Sequence, residues 1–186
     1  MVDIRGFTPL SESLSPDVII GLLNRYFSRM IDVIQRHAGI IVDFFGDSVL
    51  VFFDPVDGPL DLMVRKSITC AFDMQLKMAD FNRENSEQGL PDLEMGIGIN
   101  AGEVVVGNIG SEKRAKYGIV GSPVNMTQRI QSHARGDEIL ISASVYQYVS
   151  AMISIERTVQ AAIKGLEGEV TLYGVKAVGK GTLVEK

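Results

Sequence analysis

The chain has 186 residues, 46% of them hydrophobic and 22% charged, which allows one domain with a sizeable core and excludes a disordered or collagen-like chain. Its 18 Lys and Arg against 23 Asp and Glu leave a net charge of −5, so a broad electrostatic grip on nucleic acid is not expected. Any phosphate has to be held locally, by metals or a few placed donors. The single cysteine, Cys70, has no partner for an internal disulfide; its place in a helical apolar pattern predicts a core thiol in a reducing, cytoplasmic compartment.

No secretory leader or bilayer-length apolar run is visible, so this segment is expected to make no membrane contact. Chemistry-bearing residues begin at Asp3, with only Met1 and Val2 ahead of it as strand, whereas a strand ordinarily has about five or six residues. A longer protein with an upstream sensor or membrane anchor is therefore expected. Ser15-Pro16-Asp17 reads as a helix start, and apolar residues from Val18 to Ile34 recur at helical spacing until Gly39 stops them, which predicts a helix over Pro16–Ala38. Ile40–Phe44 and Ser48–Phe53 are predicted strands of a hairpin with its tip at Gly46-Asp47. A second long helix is expected over Pro59–Asn82, with Met63, Val64, Ile68, Ala71, Phe72, Gln75 and Met78 facing inward, then a loop over Asn85–Asp92.

Leu93–Ile99 and Glu103–Ile109 read as another strand pair around Asn100-Ala101-Gly102. Gly96 and Gly98 open no helix, so they predict close backbone packing rather than a dinucleotide fingerprint. A short strand over Tyr117–Val120, a helix over Pro123–Ala134, a strand over Glu138–Ile141 and a helix over Ala143–Ser150 follow. Strands over Ile153–Val159 and Glu169–Val175 close a domain over residues 1–176, ahead of a loose tail at 177–186. This order predicts an α/β (α+β) sandwich with a ferredoxin-like core and a mixed, largely antiparallel sheet, its helices packed on one face.

Two groups of residues carry chemistry. Asp3 at a strand end and Asp47 at a hairpin tip meet at one end of the sheet if the first strand lies beside that hairpin, and hard carboxylate oxygens there suit Mg²⁺. The N–H groups of Gly6, Phe7 and Thr8 form a candidate phosphate cradle. Asn125 and Arg129 lie four apart on a predicted helix and share one face, where Arg offers fixed donors for a developing phosphoryl charge. Taken singly, each is better explained by a turn, a cap or a solvated helix face.

Four strings in order change the balance: Asp3-Ile4-Arg5-Gly6-Phe7-Thr8; Phe45-Gly46-Asp47; the run from Gly98 to Gly110; and the run from Tyr117 to Arg129. Together they resemble the catalytic domain of bacterial-type class III adenylate/guanylate cyclases over about residues 1 to 176. The resemblance implies a head-to-tail homodimer with composite interface sites. Each site would take two Mg²⁺ or Mn²⁺ ions on Asp3, Asp47 and the carbonyl of Ile4, with Asn125 and Arg129 as catalytic residues. The implied reaction converts ATP or GTP to the 3′,5′-cyclic monophosphate and pyrophosphate.

Three positions depart from the adenylate cyclase pattern. Asp43 and Gly118 stand at the two base-reading positions, where adenylate cyclases usually carry Lys and then Asp or Thr, and guanylate cyclases Glu and Cys. Of the triphosphate-binding Lys-Gly-Lys string only Lys164 remains. Both products therefore stay open: bacterial-type members more often make cAMP, while a carboxylate at 43 matches guanine. A non-catalytic nucleotide-binding or dimerisation module is the alternative reading. A polymerase-palm or diguanylate cyclase relative lacks its Gly-Gly-Asp/Glu-Glu-Phe hairpin here.

Overall fold

The protein is described by a computed structural model over residues 1–163 and 168–178. Nine strands and five helices follow in the order β1 (Val2–Ile4), α1 (Phe7–Ser13), α2 (Pro16–Arg36), β2 (Ile40–Phe45), β3 (Ser48–Phe52), α3 (Leu60–Glu87), β4 (Met95–Ile99), β5 (Val105–Ser111), β6 (Arg114–Val120), α4 (Ser122–His133), β7 (Ile139–Ser142), α5 (Ala143–Val149), β8 (Ile153–Ala162) and β9 (Glu169–Val178). Seven strands form one sheet in the order β2-β3-β1-β4-β7-β9-β8. Only β4 and β7 run parallel; the other neighbours are antiparallel. The β2-β3-β1-β4 half is the expected ferredoxin-like start. No described helix is long and apolar enough to cross a membrane.

Strand alternation divides the core. Ile139 and Ile141 of β7 face a main cluster with Tyr26, Met30 and Ile34 of α2, Ile68, Met74 and Met78 of α3, and Val145 of α5. Leu140 between them faces the opposite side, where it packs with Ile130 of α4, Ala161 and Leu172. The expectation of helices on a single face is thus corrected: α4 covers the other one. Its close approach explains Gly98 of β4, whereas a Cβ at Gly96 would meet the Arg5 side chain and the Arg135 carbonyl. A Cβ at Gly98 would lie 2.4 Å from the backbone nitrogen of Gln131, so only glycine leaves room for the helix. Cys70 lies buried in α3 as expected, and burial pushes its thiol up to about 12, which keeps it unreactive.

Three further expectations change. Leu93–Ile99 and Glu103–Ile109 do not pair, because both edges of β4 are taken, by β1 and β7. Instead β5 forms a separate two-stranded ribbon with β6, which extends back to Arg114, well before the expected Tyr117. Helix α3 continues past Asn82 to Glu87. There Asn85 is fully buried, accepting from Arg25 Nη2 at 2.7 Å and donating to the Pro91 carbonyl at 3.0 Å, so polar residues that read as a loop serve as tertiary anchors. Helix α1 was not expected; it is too short for a periodic signal, and its Phe7 and Leu10 pack against the main core.

Candidate active site

The sheet order puts β1 between the β2–β3 hairpin and β4, which carries Asp3 and Asp47 to the same end of the sheet. Phe45 pairs with Ser48, so Gly46 and Asp47 form a two-residue turn, and Gly46 takes the left-handed conformation this requires, φ 63°. The turn aims Asp47 back across the sheet end, where its Oδ2 accepts from the Ile4 N–H at 3.1 Å. Asp3 accepts from Ser48 Oγ at 2.9 Å and from Arg5 Nη2 at 2.9 Å. Both carboxyls are half-buried.

Electrostatics distinguish them. Burial raises the Asp47 carboxyl, and the facing Asp3 raises it further, to about 6. Burial also works against ionised Asp3, but hydrogen bonds from Asp47, Arg5 and Ser48 outweigh it and hold Asp3 below the ordinary carboxylate range. Two facing carboxyls that resist joint ionisation are a donor set a hard divalent cation would satisfy: both would ionise toward it, and all the oxygens are hard ligands. The two carboxyls, Asp3 and Asp47, thus fit the expected divalent metal. Among the described residues no third His, Cys, Asp or Glu joins them.

Gly6, Phe7 and Thr8 sit beside this pair at the start of α1, with Gly6 as the residue before the helix. The first N–H groups of a helix have no partner within it. Lys164 lies outside the described residues.

Asp43 and Gly118 come close through a residue that the sequence reading missed. Asp43 on β2 forms an ion pair with Lys116 on β6, which draws its carboxyl below the ordinary range. Lys116 stands two residues before Gly118, so it shares that face of the ribbon. Gly118 itself is buried, and a Cβ there would meet Ile109 Cδ1 at 2.9 Å. Its sequence signal, a lysine at even spacing from the glycine, acquires meaning only when the ribbon folds against β2.

Asn125 and Arg129 lie on the first two turns of α4, Asn125 exposed and Arg129 partly so. Their side chains make no hydrogen bond or ion pair with another described residue, and none links them to Asp3 or Asp47 of the same chain. The two groups are thus not joined by any hydrogen bond or ion pair among the described residues. Around the hairpin and ribbon, Phe45, Val105, Tyr117 and Val120 are 51%, 74%, 48% and 56% exposed, an apolar surface.

Known proteins share this fold. Residues 1–177 match the adenylate and guanylate cyclase catalytic domain. The crystal structure of the guanylyl cyclase Cya2 superposes with a TM-score of 0.91 at 41% identity, covering 98% of this chain and 92% of that one. The adenylyl cyclase CyaB from P. aeruginosa gives 0.90 at 34% identity, covering 96% and 92%. An adenylate cyclase from Anabaena cylindrica is 35% identical over 94% of this chain. The chain spans 36% of that relative and 27% of an adenylate cyclase of Rhizobium meliloti, about a third of the length of the curated relatives it matches. Fold and sequence agree: the chain belongs to the adenylate and guanylate cyclase catalytic domain family.

Proposed function

We propose that the protein is a nucleotidyl cyclase acting as a homodimer, with Asp3, Ile4 and Asp47 of one subunit and Asn125 and Arg129 of its partner completing each site. The observation that carries this reading is the facing carboxylate pair, poised for divalent cations at a sheet end. In the reaction the ribose 3′-oxygen attacks the α-phosphorus. The new 3′-O–P bond forms, the bond to the β-phosphate bridging oxygen breaks, and pyrophosphate leaves as the 3′-hydroxyl gives up its proton. Two Mg²⁺ or Mn²⁺ ions bound there supply Lewis-acid stabilisation of the attacking oxygen and the triphosphate.

Each residue has a task of its own. Ser48 and Arg5 orient the Asp3 carboxylate, and the Ile4 N–H orients that of Asp47. The N–H groups at the start of α1 bind phosphate oxygens, and the family resemblance gives Lys164 a role in holding the triphosphate. Arg129 meets the charge that develops on the α-phosphoryl group, and Asn125 orients the ribose. That the side chains of Asn125 and Arg129 have no hydrogen-bond or ion-pair partner among the described residues supports a composite site, since two-fold symmetry lets each subunit give one half and receive the other. The exposed apolar surface around the hairpin and ribbon supports the same interface.

Asp43 favours GTP. Ionised and held by Lys116, it accepts from the N1–H and exocyclic amine of guanine, whereas adenine N1 is itself an acceptor and is repelled. The intact set of Asp3, Asp47, Asn125 and Arg129 supports an enzyme over a non-catalytic binding module. Incubation with Mg²⁺ or Mn²⁺ and each triphosphate, with chromatography of products, tests the reading. A cyclic monophosphate and pyrophosphate are expected, lost in Asp47→Ala and in Arg129→Ala and partly regained when those two proteins are mixed. A dimer that binds nucleotide but forms no cyclic product with either metal establishes the binding module instead.

A further inference from the structure

We propose that Lys116 reads the base together with Asp43: its ammonium donates to guanine O6 while the Asp43 carboxylate accepts from N1–H and the 2-amino group. This rests on the triphosphate site proposed above and adds a specificity residue to it. Both oxygens of Asp43 are held within the chain. Oδ2 accepts from Lys116 Nζ, and Oδ1 accepts from the Phe44 N–H at 3.1 Å. A carboxylate oxygen has two acceptor sites, so each keeps one for a ligand. Lys116 has three donors and uses one on Asp43; among the described residues no other acceptor takes the remaining two.

The ribbon explains why a lysine at 116 can do what position 118 does not. Lys116 pairs with Ile109, and Gly118 with Gly107, so Lys116, Ile109 and position 118 share one face. A Cβ at Gly118 would meet Ile109 Cδ1 at 2.9 Å, so Ile109 occupies the space above the glycine. Lys116 is the next residue along that face, and it is the one beside Asp43. Ile109 is 41% exposed and offers an apolar wall for a planar base. The side chains of Lys116 and Asp43 are 60% and 30% exposed. An ion pair so open to solvent contributes little to stability; what distinguishes it is the surface it presents, a donor beside an acceptor.

That surface matches one purine. Guanine places the acceptor O6 next to the donor N1–H, with the 2-amino donor beyond. Adenine places a donating 6-amino group next to the acceptor N1, so both signs reverse. An ammonium beside a carboxylate pairs with the first edge and opposes the second at both positions. Hypoxanthine keeps O6 and N1–H but lacks the 2-amino group, which separates the contribution of Lys116 from that of Asp43.

The 3′-deoxy forms of GTP, ITP and ATP lack the attacking oxygen, so their equilibrium binding with Mg²⁺ reads the base contacts without turnover. The parent is expected to bind the GTP form about tenfold or more tighter than the ITP form, and the ATP form most weakly. Lys116→Met should weaken the GTP and ITP forms alike, by about tenfold or more, the loss of a hydrogen bond from a charged donor. The ratio between those two should stay in place, because the Phe44 N–H still holds Asp43. Lys116→Arg keeps a donor and should recover part of the loss. A ratio that collapses toward one in Lys116→Met shows that the lysine only holds Asp43 and overturns the proposal. Unchanged binding of the GTP form in Lys116→Met, or equal binding of the GTP and ITP forms by the parent, overturns it too. The expected ratios in a protein that forms no cyclic product leave the base assignment standing and overturn the enzymatic reading alone. A protein that cyclises triphosphates while its binding is indifferent to Lys116 does the reverse.

Discussion

Gly98→Ala adds one methyl group where β4 meets α4. The new Cβ would lie 2.4 Å from the backbone nitrogen of Gln131 and 2.6 Å from its Cα, against 3.4–4 Å for ordinary contact. Both obstacles are main-chain atoms of α4, so no side-chain rotation relieves them, and the helix has to withdraw by about 1 Å at that turn. Overpacking of this kind costs about 1–3 kcal/mol. For a chain of this size each kcal/mol lowers Tm by about 2–4 °C. Gln131 is two residues beyond Arg129 on the same helix, so the displacement reaches the proposed site, and a misplacement of about 1 Å is expected to reduce turnover roughly 100-fold. Urea denaturation and cyclase assays with both triphosphates read the two effects. Gly21→Ala is the control: that glycine is exposed on α2 with nothing within 4 Å of its Cβ position, so alanine should add about 0.5–1 kcal/mol and leave turnover unchanged. A Gly98→Ala protein within about 0.5 kcal/mol of the parent, with undiminished turnover, refutes the claim that this glycine sets the position of α4.

Other expectations rest on single contacts. Asp43→Lys removes the acceptor and places like charge beside Lys116, so the ratio of kcat/KM for ATP to that for GTP should rise; a ratio that does not move shows that Asp43 does not face the base. Asn82 donates to the Leu93 carbonyl at 2.9 Å and accepts from its N–H at 2.9 Å, so Asn82→Ala should cost about 1–3 kcal/mol in denaturant unfolding without a change in kcat. Burial opposes the charge on Glu138, but Arg157, at 2.5 Å from Oε1 and 2.7 Å from Oε2, and the Arg135 N–H hold its carboxyl below the ordinary 4.5. A carboxyl lowered in the folded state stabilises fully above its unfolded value and loses that contribution as pH falls through the folded one. Tm should therefore drop as pH falls below about 4.5, and Glu138→Gln should flatten that drop.

Most of the architecture was legible because it depends on short-range patterns. The apolar period and the Ser15-Pro16-Asp17 start define α2 within a residue or two of its observed ends, and Gly46-Asp47 defines the hairpin tip. The four motif strings indicated the family, and with it the pairing of Asp3 with Asp47. The errors fall where partners distant in the chain decide. Apolar segments 93–99 and 103–109 look like a hairpin, and no local property reveals that β1 and β7 already occupy both edges of β4. The polar run at the end of α3 reads as solvated, yet Asn85 is buried because Arg25 and the Pro91 carbonyl supply its hydrogen bonds.

The same division holds at the site. Residue type and spacing along the chain were enough to point to the candidate hard oxygen ligands and the candidate arginine. It took the folded chain to show that Asp47 is raised to about 6 by burial and by Asp3, and that Lys116 holds Asp43. Proton affinity depends on desolvation and on charges a few ångströms away, and an ion pair between residues 43 and 116 exists only once the ribbon lies against the hairpin. These are distances through space, which the order of residues along the chain does not encode locally.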